Sequence, residues 1–386
     1  MKTLAGALGV LLMAGTALAA EPRAPQPRAR DIGIPFTGTP GTWNAITDVK
    51  GVTVGEVTLI EGEGVRTGVT AILPRGRDTQ DKPVFGAVFS QNGNGELTGS
   101  HWIAESGFVE GPIFLTNTHS VGVVRDAAIE WRVKAGGADA SGYWWSLPVV
   151  AETWDGHLNE INGFHVKPQH VFDAIEKASS GPVAEGATGG GTGMICHEFK
   201  CGTGTASRLI KSDGTTYTVG VLVQANYGIR DTLTVAGVPV GQHLRDEMVY
   251  QAPTGPNADT GSIIILVATD APLLPHQLAR VAKRATMGLA RVGSYAGNGS
   301  GDIFLAFSTA NDAASQAGAP ANITMLANEN MDPLFRGTVE ATEEAIVNAL
   351  VAGRDMTGTQ GRYVKGIPQD ALVDLLKKYG RYQKPE

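Results

Sequence analysis

The sequence of 386 residues is long enough to bury a sizeable core, either as one large domain or as two ordinary ones. Its formal charge of −7 comes with no Lys/Arg cluster and no basic helix, so the electrostatic footprint of a nucleic-acid binder is absent. The 2 cysteines exclude metal sites built from several thiolates and a disulfide scaffold as the main source of stability, and the 8 histidines lack the H-E-x-x-H or H-x-H spacing that points to zinc.

Read from the start, Lys2, an apolar run from Leu4 to Ala14 and small residues at Ala17-Leu18-Ala19 form a secretory signal peptide over residues 1–20, which predicts export to a periplasm. The run is too short to span a bilayer, and the Pro- and Arg-rich EPRAPQPRAR after it reads as an exposed arm. No later window approaches about 18 uninterrupted apolar residues, so no membrane helix is expected. The 51 glycines follow no Gly-X-Y period and predict many tight turns and close backbone approaches. Between Ile46 and Leu73, the alternating β-branched residues of DVKGVTVGEVTLI and VRTGVTAILP read as a hairpin. PVFGAVFSQNGNGELTG is a strand closing on an Asn- and Gly-rich turn, and GPIFLTNTHSVGVVRDAAIEW passes from strand through loop into helix.

PQHVFDAIEKASS is an amphipathic helix, TYTVGVLVQANYG an apolar strand, and GSIIILVATD a strand apolar enough to be buried on both faces. LLPHQLARVAKRATMGLARVG and MDPLFRGTVEATEEAIVNALVAG read as long helices on either side of the strand GDIFLAFSTAN. Neighbouring strands with helices on the outer faces predict an α+β layered sandwich in which helices cover two central sheets. Inside the mature chain, the one long linker-like stretch is YQAPTGPNADTG, polar and turn-forming, ending directly at Ser262.

A Gly-Ser pair at the head of a buried strand is common, and Gly261-Ser262 gains weight from the chemistry available there. An N-to-O acyl shift needs a hydroxyl held against the preceding carbonyl; a glycine lets the backbone be approached closely, and a flexible stretch upstream lets the freed end move away. Cleavage would leave Ser262 with a free α-amino group, whose ordinary pKa of about 8 suits a base for the adjacent hydroxyl. In Asn298-Gly299-Ser300-Gly301-Asp302 a hydroxyl and a carboxylate two residues apart share one side of a regular strand. That segment fits either a pair that orients an amine or a plain turn. GATGGGTGMICHEFKCGTGTASR lacks the P-loop and dinucleotide patterns and reads as a glycine hairpin beside a site. Within it, the spacing of Cys196 and Cys201 leaves open both a local bridge and two free thiols.

In order along the chain, PFTGTPGTWNAITDVKGVTVG, LPVVAETWDGHLNEINGFH, MICHEFK, VLVQANYG, TGSIIILVATDAPLLPHQLARVAKRA and NGSGDIFLAFSTAN together resemble the L-aminopeptidase/D-esterase and β-peptidyl aminopeptidase family of self-processing serine aminopeptidases. The resemblance runs from about Arg28 to the C-terminal helix. It implies a four-layer αββα fold of the N-terminal-nucleophile-hydrolase kind. It also implies a precursor cut into a large chain (21–261) and a small chain (262–386) that stay together as one composite catalytic domain, and a homotetramer of such pairs.

Carried over by position, the resemblance puts the cut between Gly261 and Ser262, the nucleophile on Ser262, the second serine and acidic partner on Ser300 and Asp302, the oxyanion-stabilising asparagine on Asn226, and the anchor for the substrate's amino group on Glu152. Read without the resemblance, Glu152 is an exposed strand-end glutamate. The aromatic after the anchor, a tyrosine in part of the family, is Trp154 here. Its indole N–H can donate but it has no phenolic hydroxyl, so the oxyanion hole is expected to rest on Asn226 and backbone donors.

The expectation is hydrolysis of an N-terminal aminoacyl amide or peptide bond through an acyl-enzyme on Ser262, on a small peptide or amide with a free N-terminus, with neither metal nor cofactor. The signal peptide and the AETWDGHLN segment favour the β-peptidyl branch; the L-aminopeptidase/D-esterase branch is the alternative. A self-processing acyltransferase of the ornithine acetyltransferase type fits less well, because those enzymes use Thr at the cut and work in the cytoplasm. A periplasmic solute-binding protein, the rival of another class, would keep one intact chain.

Overall fold

The structure, a computed structural model, describes residues 27–77, 82–136, 145–246, 248–249, 261–315 and 320–385. The signal peptide and the linker as far as residue 260 lie outside the described residues. The strands that build the fold are β1 (Thr53–Glu61), β2 (Val65–Arg77), β3 (Val84–Gly93), β4 (Phe108–Val109), β5 (Ile113–Asn117), β6 (Val149–Thr153), β7 (Ile195–Cys196), β8 (Phe199–Lys200), β9 (Thr203–Ser212), β10 (Thr215–Asn226), β11 (Ser262–Thr269) and β12 (Gly301–Ser308). The helices are α1 (Ser100–Ser106), α2 (Val121–Lys134), α3 (Pro168–Lys177), α4 (Val240–His243), α5 (Pro275–Arg291), α6 (Asp332–Ala352) and α7 (Gln369–Lys378). Both α3 and α5 open on a proline in the first turn, where the missing N–H breaks no helical hydrogen bond.

The strands form a four-stranded sheet in the order β1-β2-β5-β6 and a six-stranded sheet in the order β4-β3-β12-β11-β10-β9. The predicted hairpin is β1 with β2, antiparallel from Thr53 opposite Leu73 to Glu61 opposite Val65. At the centre of the larger sheet β11 runs parallel to β12, with α5 as the crossover between them, and antiparallel to β10.

Burial explains the layering. Along β11, Ile263, Ile265 and Val267 pack against the helical side with Leu278 and Val281 of α5 and Ala341 and Ala345 of α6, while Ile264, Leu266 and Ala268 pack against the other sheet with Ile72, Leu115 and Ala151. This is the period-2 alternation of a strand with two buried faces. The far side of the four-stranded sheet, through Val57, Val69, Phe114 and Val150, is covered by Val124 and Ala128 of α2 and Val171 and Ile175 of α3. The result is the expected four-layer αββα sandwich. Cys196 and Cys201, left open by their spacing, are joined in a disulfide across the β7–β8 hairpin. Among the described residues no helix is long and apolar enough to cross a membrane.

Candidate active site

The site begins with strand register. Asn226, the last residue of β10, pairs with Ser262, the first of β11, and Ser262 in turn pairs with Gly301, the first of β12. Three adjacent strand ends therefore bring together residues far apart in sequence. The N–H of Gly301 lies 3.2 Å from the carbonyl oxygen of Gly261 and 3.2 Å from Oγ of Ser262. One donor thus spans the carbonyl of the Gly261–Ser262 bond and the hydroxyl beside it. Ser262 is only 7% exposed. Gly261 is required by contact: a Cβ there would stand 2.4 Å from the carbonyl oxygen of Asn226 and 2.4 Å from Cα of Tyr227.

Ser300 Oγ donates to Asp302 Oδ1 at 2.6 Å, and both side chains are buried. The turn and the side-chain pair coexist: Ser300 N–H closes on Gly297 O at 2.9 Å, and Asn94 Nδ2 holds Gly299 O at 2.7 Å. Directly after Asp302 the pairing of β12 with β3 shifts register, a local irregularity that turns the head of the strand relative to its body.

Glu152 comes from the other sheet, in β6 opposite Thr116 of β5. It does stand near a strand end, but it is 3% exposed, so the expectation of an exposed glutamate fails. Its Oε1 accepts from the backbone N–H of Glu96 at 3.0 Å and its Oε2 from the hydroxyl of Thr118. Burial raises its pKa above the ordinary carboxylate value, and those two hydrogen bonds oppose the rise. Gly95 ties this carboxylate to the serine: a Cβ on it would lie 3.3 Å from Glu152 Oε1 and 3.3 Å from Cα of Gly301.

Asn226 has a fixed orientation. Its Oδ1 accepts from the N–H of Ile195 at 2.8 Å and its Nδ2 donates to the carbonyl of Trp154 at 2.8 Å, which leaves a second amide hydrogen for another acceptor. Trp154 is 45% exposed, and its ring lies over Gly156, where a Cβ would come within 2.5 Å of it. Trp154 therefore touches Asn226 through its backbone. Next to it, Asp155 is buried and is pushed up to about 7, chiefly by burial.

The hairpin that supplies the Ile195 N–H turns through His197 (φ 48) and Glu198 (φ 62), a left-handed pair without glycine. Arg230 holds it there, donating from Nε to His197 O at 2.9 Å and from Nη2 to Glu198 O at 2.8 Å. Sequence reasoning did not find the Gly301 N–H, Thr118, the Glu96 N–H or the Ile195 N–H. Two of these left a trace, since Gly301 sits inside NGSGD and Ile195 inside MICHEFK; backbone donors carry no side-chain signature.

Residues 44–364 match the family model described as Peptidase family S58. The chain belongs to peptidase family S58. It is 51% identical over 390 residues to the β-peptidyl aminopeptidase BapA of Sphingosinicella microcystinivorans, covering 96% of this chain and 97% of that one. The structure of the L-aminopeptidase D-Ala-esterase/amidase from Ochrobactrum anthropi superposes with a TM-score of 0.87 at 48% identity, covering 92% of this chain and 100% of the other. A Burkholderia sp. β-aminopeptidase superposes with a TM-score of 0.83 at 50% identity, covering 92% and 99%. This S58 member is thus a serine-type aminopeptidase on a variant of the Ntn hydrolase fold, as the motifs implied.

Proposed function

We propose that this protein is exported, cuts its own Gly261–Ser262 bond, and then removes N-terminal β-amino acids from small peptides and amides through an acyl-enzyme on Ser262. The observation that carries the reading is the shared Gly301 N–H, 3.2 Å from both the Gly261 carbonyl oxygen and Ser262 Oγ. A donor in that place polarises the bond to be cut and serves the oxygen that attacks it. In maturation, Oγ attacks the Gly261 carbonyl carbon, the C–N bond breaks as an ester forms, and the nitrogen takes up a proton to become the free amine of Ser262. Water then hydrolyses the ester, which restores the hydroxyl and leaves Gly261 as a carboxylate.

In turnover the new α-amino group accepts the Ser262 hydroxyl proton as Oγ attacks the substrate carbonyl, and later delivers a proton to the leaving amine. The bonded Ser300–Asp302 pair orients that amine. The second amide hydrogen of Asn226, beside Ser262 in the strand register, stabilises the tetrahedral oxyanion. Glu152 receives the substrate's ammonium. Its buried carboxylate has two neutral donors and a raised pKa, and a cation placed against it offsets the cost of burying its charge. The 51%-identical β-peptidyl relative, similar over nearly the whole chain, supports the β-amino substrate class; the likeness to the L-aminopeptidase D-Ala-esterase/amidase keeps small α-aminoacyl amides as the second reading. The cut chains, 21–261 and 262–386, stay together and assemble as a homotetramer of pairs in the periplasm.

Intact mass and N-terminal sequencing of purified protein test this: a small chain beginning at Ser262 is expected, and Ser262→Ala should remain one inactive chain. Processing of Ser262→Ala at the same bond would assign the cut to an external protease. Turnover of β-alanyl against L-alanyl p-nitroanilide by the mature enzyme decides between the substrate classes, and size-exclusion with light scattering reads the assembly.

A further inference from the structure

Asn226 can offer a hydrogen to an oxyanion only while its Oδ1 is held away, and the group that holds it is the N–H of Ile195. The peptide bond carrying that N–H is gripped at its other end. Its carbonyl, that of Met194, accepts from Lys200 Nζ at 2.9 Å and from the Cys201 N–H at 3.1 Å. Lys200 is fully buried, and its Nζ also donates to the Cys201 carbonyl at 2.6 Å. Burial alone lowers its pKa to about 7, with no carboxylate contributing. A hydrogen bond received by a peptide carbonyl polarises the amide and makes its N–H a stronger donor, and the same transfer repeats through the next amide in the chain. Here two amides stand in series, the Met194–Ile195 peptide and the Asn226 carboxamide.

We propose that Lys200 is a positioning residue for the oxyanion hole, strengthening the Asn226 donor through the Met194–Ile195 peptide. This rests on the reading of Asn226 as the oxyanion donor. Merely closing the hairpin would not call for a buried lysine. The β7–β8 turn is already closed by pairing of Ile195 with Lys200 and Cys196 with Phe199, by the Cys196–Cys201 disulfide, and by the two bonds from Arg230.

The test is a double-mutant cycle of Lys200→Met and Asn226→Ala, with kcat and KM measured on a small β-aminoacyl p-nitroanilide. Where a variant stays uncut, the rate of appearance of the Ser262 N-terminus is read in the same cycle. Lys200→Met should lower kcat about three- to tenfold with KM unchanged, and should add nothing once Asn226 is alanine. Wild-type kcat in Lys200→Met, or the same loss in both backgrounds, overturns the proposal while the Asn226 reading stands. Wild-type kcat in Asn226→Ala overturns both. If Lys200→Met does not fold, Lys200→Gln replaces it in the cycle and is judged by the same outcomes.

Discussion

Gly261→Ala perturbs the proposed cut at a place where the cost can be worked from the structure. The added Cβ would lie 2.4 Å from both Asn226 O and Tyr227 Cα and 3.0 Å from the Asn226 carbonyl carbon, all backbone atoms of the neighbouring chain segment that cannot rotate away. Ordinary contact begins near 3.4 Å, so β10 and β11 must part by about 1 Å where Asn226 meets Ser262. Overpacking of this kind costs about 1–3 kcal/mol in stability. The effect on chemistry is larger. The Gly301 N–H sits 3.2 Å from the scissile carbonyl on the other side of β11, and a shift of this size spoils that alignment. A misplacement of about 1 Å in a reacting geometry lowers rates by about 10²-fold. Precursor half-life, followed by denaturing gel and intact mass on freshly synthesised protein, should lengthen by that factor. Once cut, Gly261 becomes a free chain end, so turnover per released Ser262 N-terminus should match wild type. A folded Gly261→Ala precursor that processes at the wild-type rate would refute the claim that this close packing aligns the bond.

Asp302→Asn should fold and be inactive, as followed by circular dichroism and turnover; wild-type turnover in a processed variant would leave Ser300–Asp302 as only a turn. Glu152→Gln should lose activity on a free aminoacyl amide, and the wild type should reject the N-acetylated form; equal cleavage of both forms by the wild type would remove the anchor role. Asp155 binds its proton more tightly in the folded state, up to about 7 from 3.8, so its contribution to stability is full below about pH 4 and is lost as pH rises to about 7. Asp155→Asn should flatten that decline and stabilise the protein above pH 7 by on the order of a few kcal/mol, read from urea melts at pH 5 and 8; an unchanged slope would refute it.

The elements whose pattern is local were legible. SIIILVAT is apolar on both alternating faces because it lies between a sheet and two helices, and the spacing of Leu278, Val281, Ala285 and Leu289 marks the buried face of α5. Ser300 and Asp302 do meet, but Ser300 closes the turn ahead of β12 and only Asp302 lies in the strand, so their two-residue spacing allowed the pair without deciding it. What local pattern could not give depends on the meeting of distant segments. Glu152 looks exposed along its own strand and is buried where the Glu96 backbone and Thr118, distant in sequence, close on its carboxylate. The left-handed turn at His197 and Glu198 has no glycine to announce it, because Arg230 from beyond β10 supplies the restraint. The disulfide is of the same kind: a spacing that permits a bridge becomes one when the hairpin brings the two sulfurs together.

The same dependence on packing bears on which substrates fit. Ser262 belongs to the six-stranded sheet and Glu152 to the four-stranded one, so the distance from the proposed nucleophile to the proposed ammonium anchor is a distance between sheets. No loop length sets it. It depends on what lies between, and Gly95 stands there without a side chain: a Cβ on it would lie 3.3 Å from Glu152 Oε1, 3.3 Å from Cα of Gly301 and 3.6 Å from Cδ1 of Ile303. An α-aminoacyl and a β-aminoacyl substrate differ by one methylene between ammonium and carbonyl, a difference that such a site measures as sheet separation. A substrate one methylene too short cannot reach Glu152 and the oxyanion donor at once, so the mismatch leaves a polar group poorly paired and costs more than the ~1–3 kcal/mol of a methylene in an apolar pocket. On the proposed roles, discrimination between α- and β-amino acids is set by the packing around Gly95, while the requirement for a free amino group follows from Glu152, because refusing it strands a buried carboxylate.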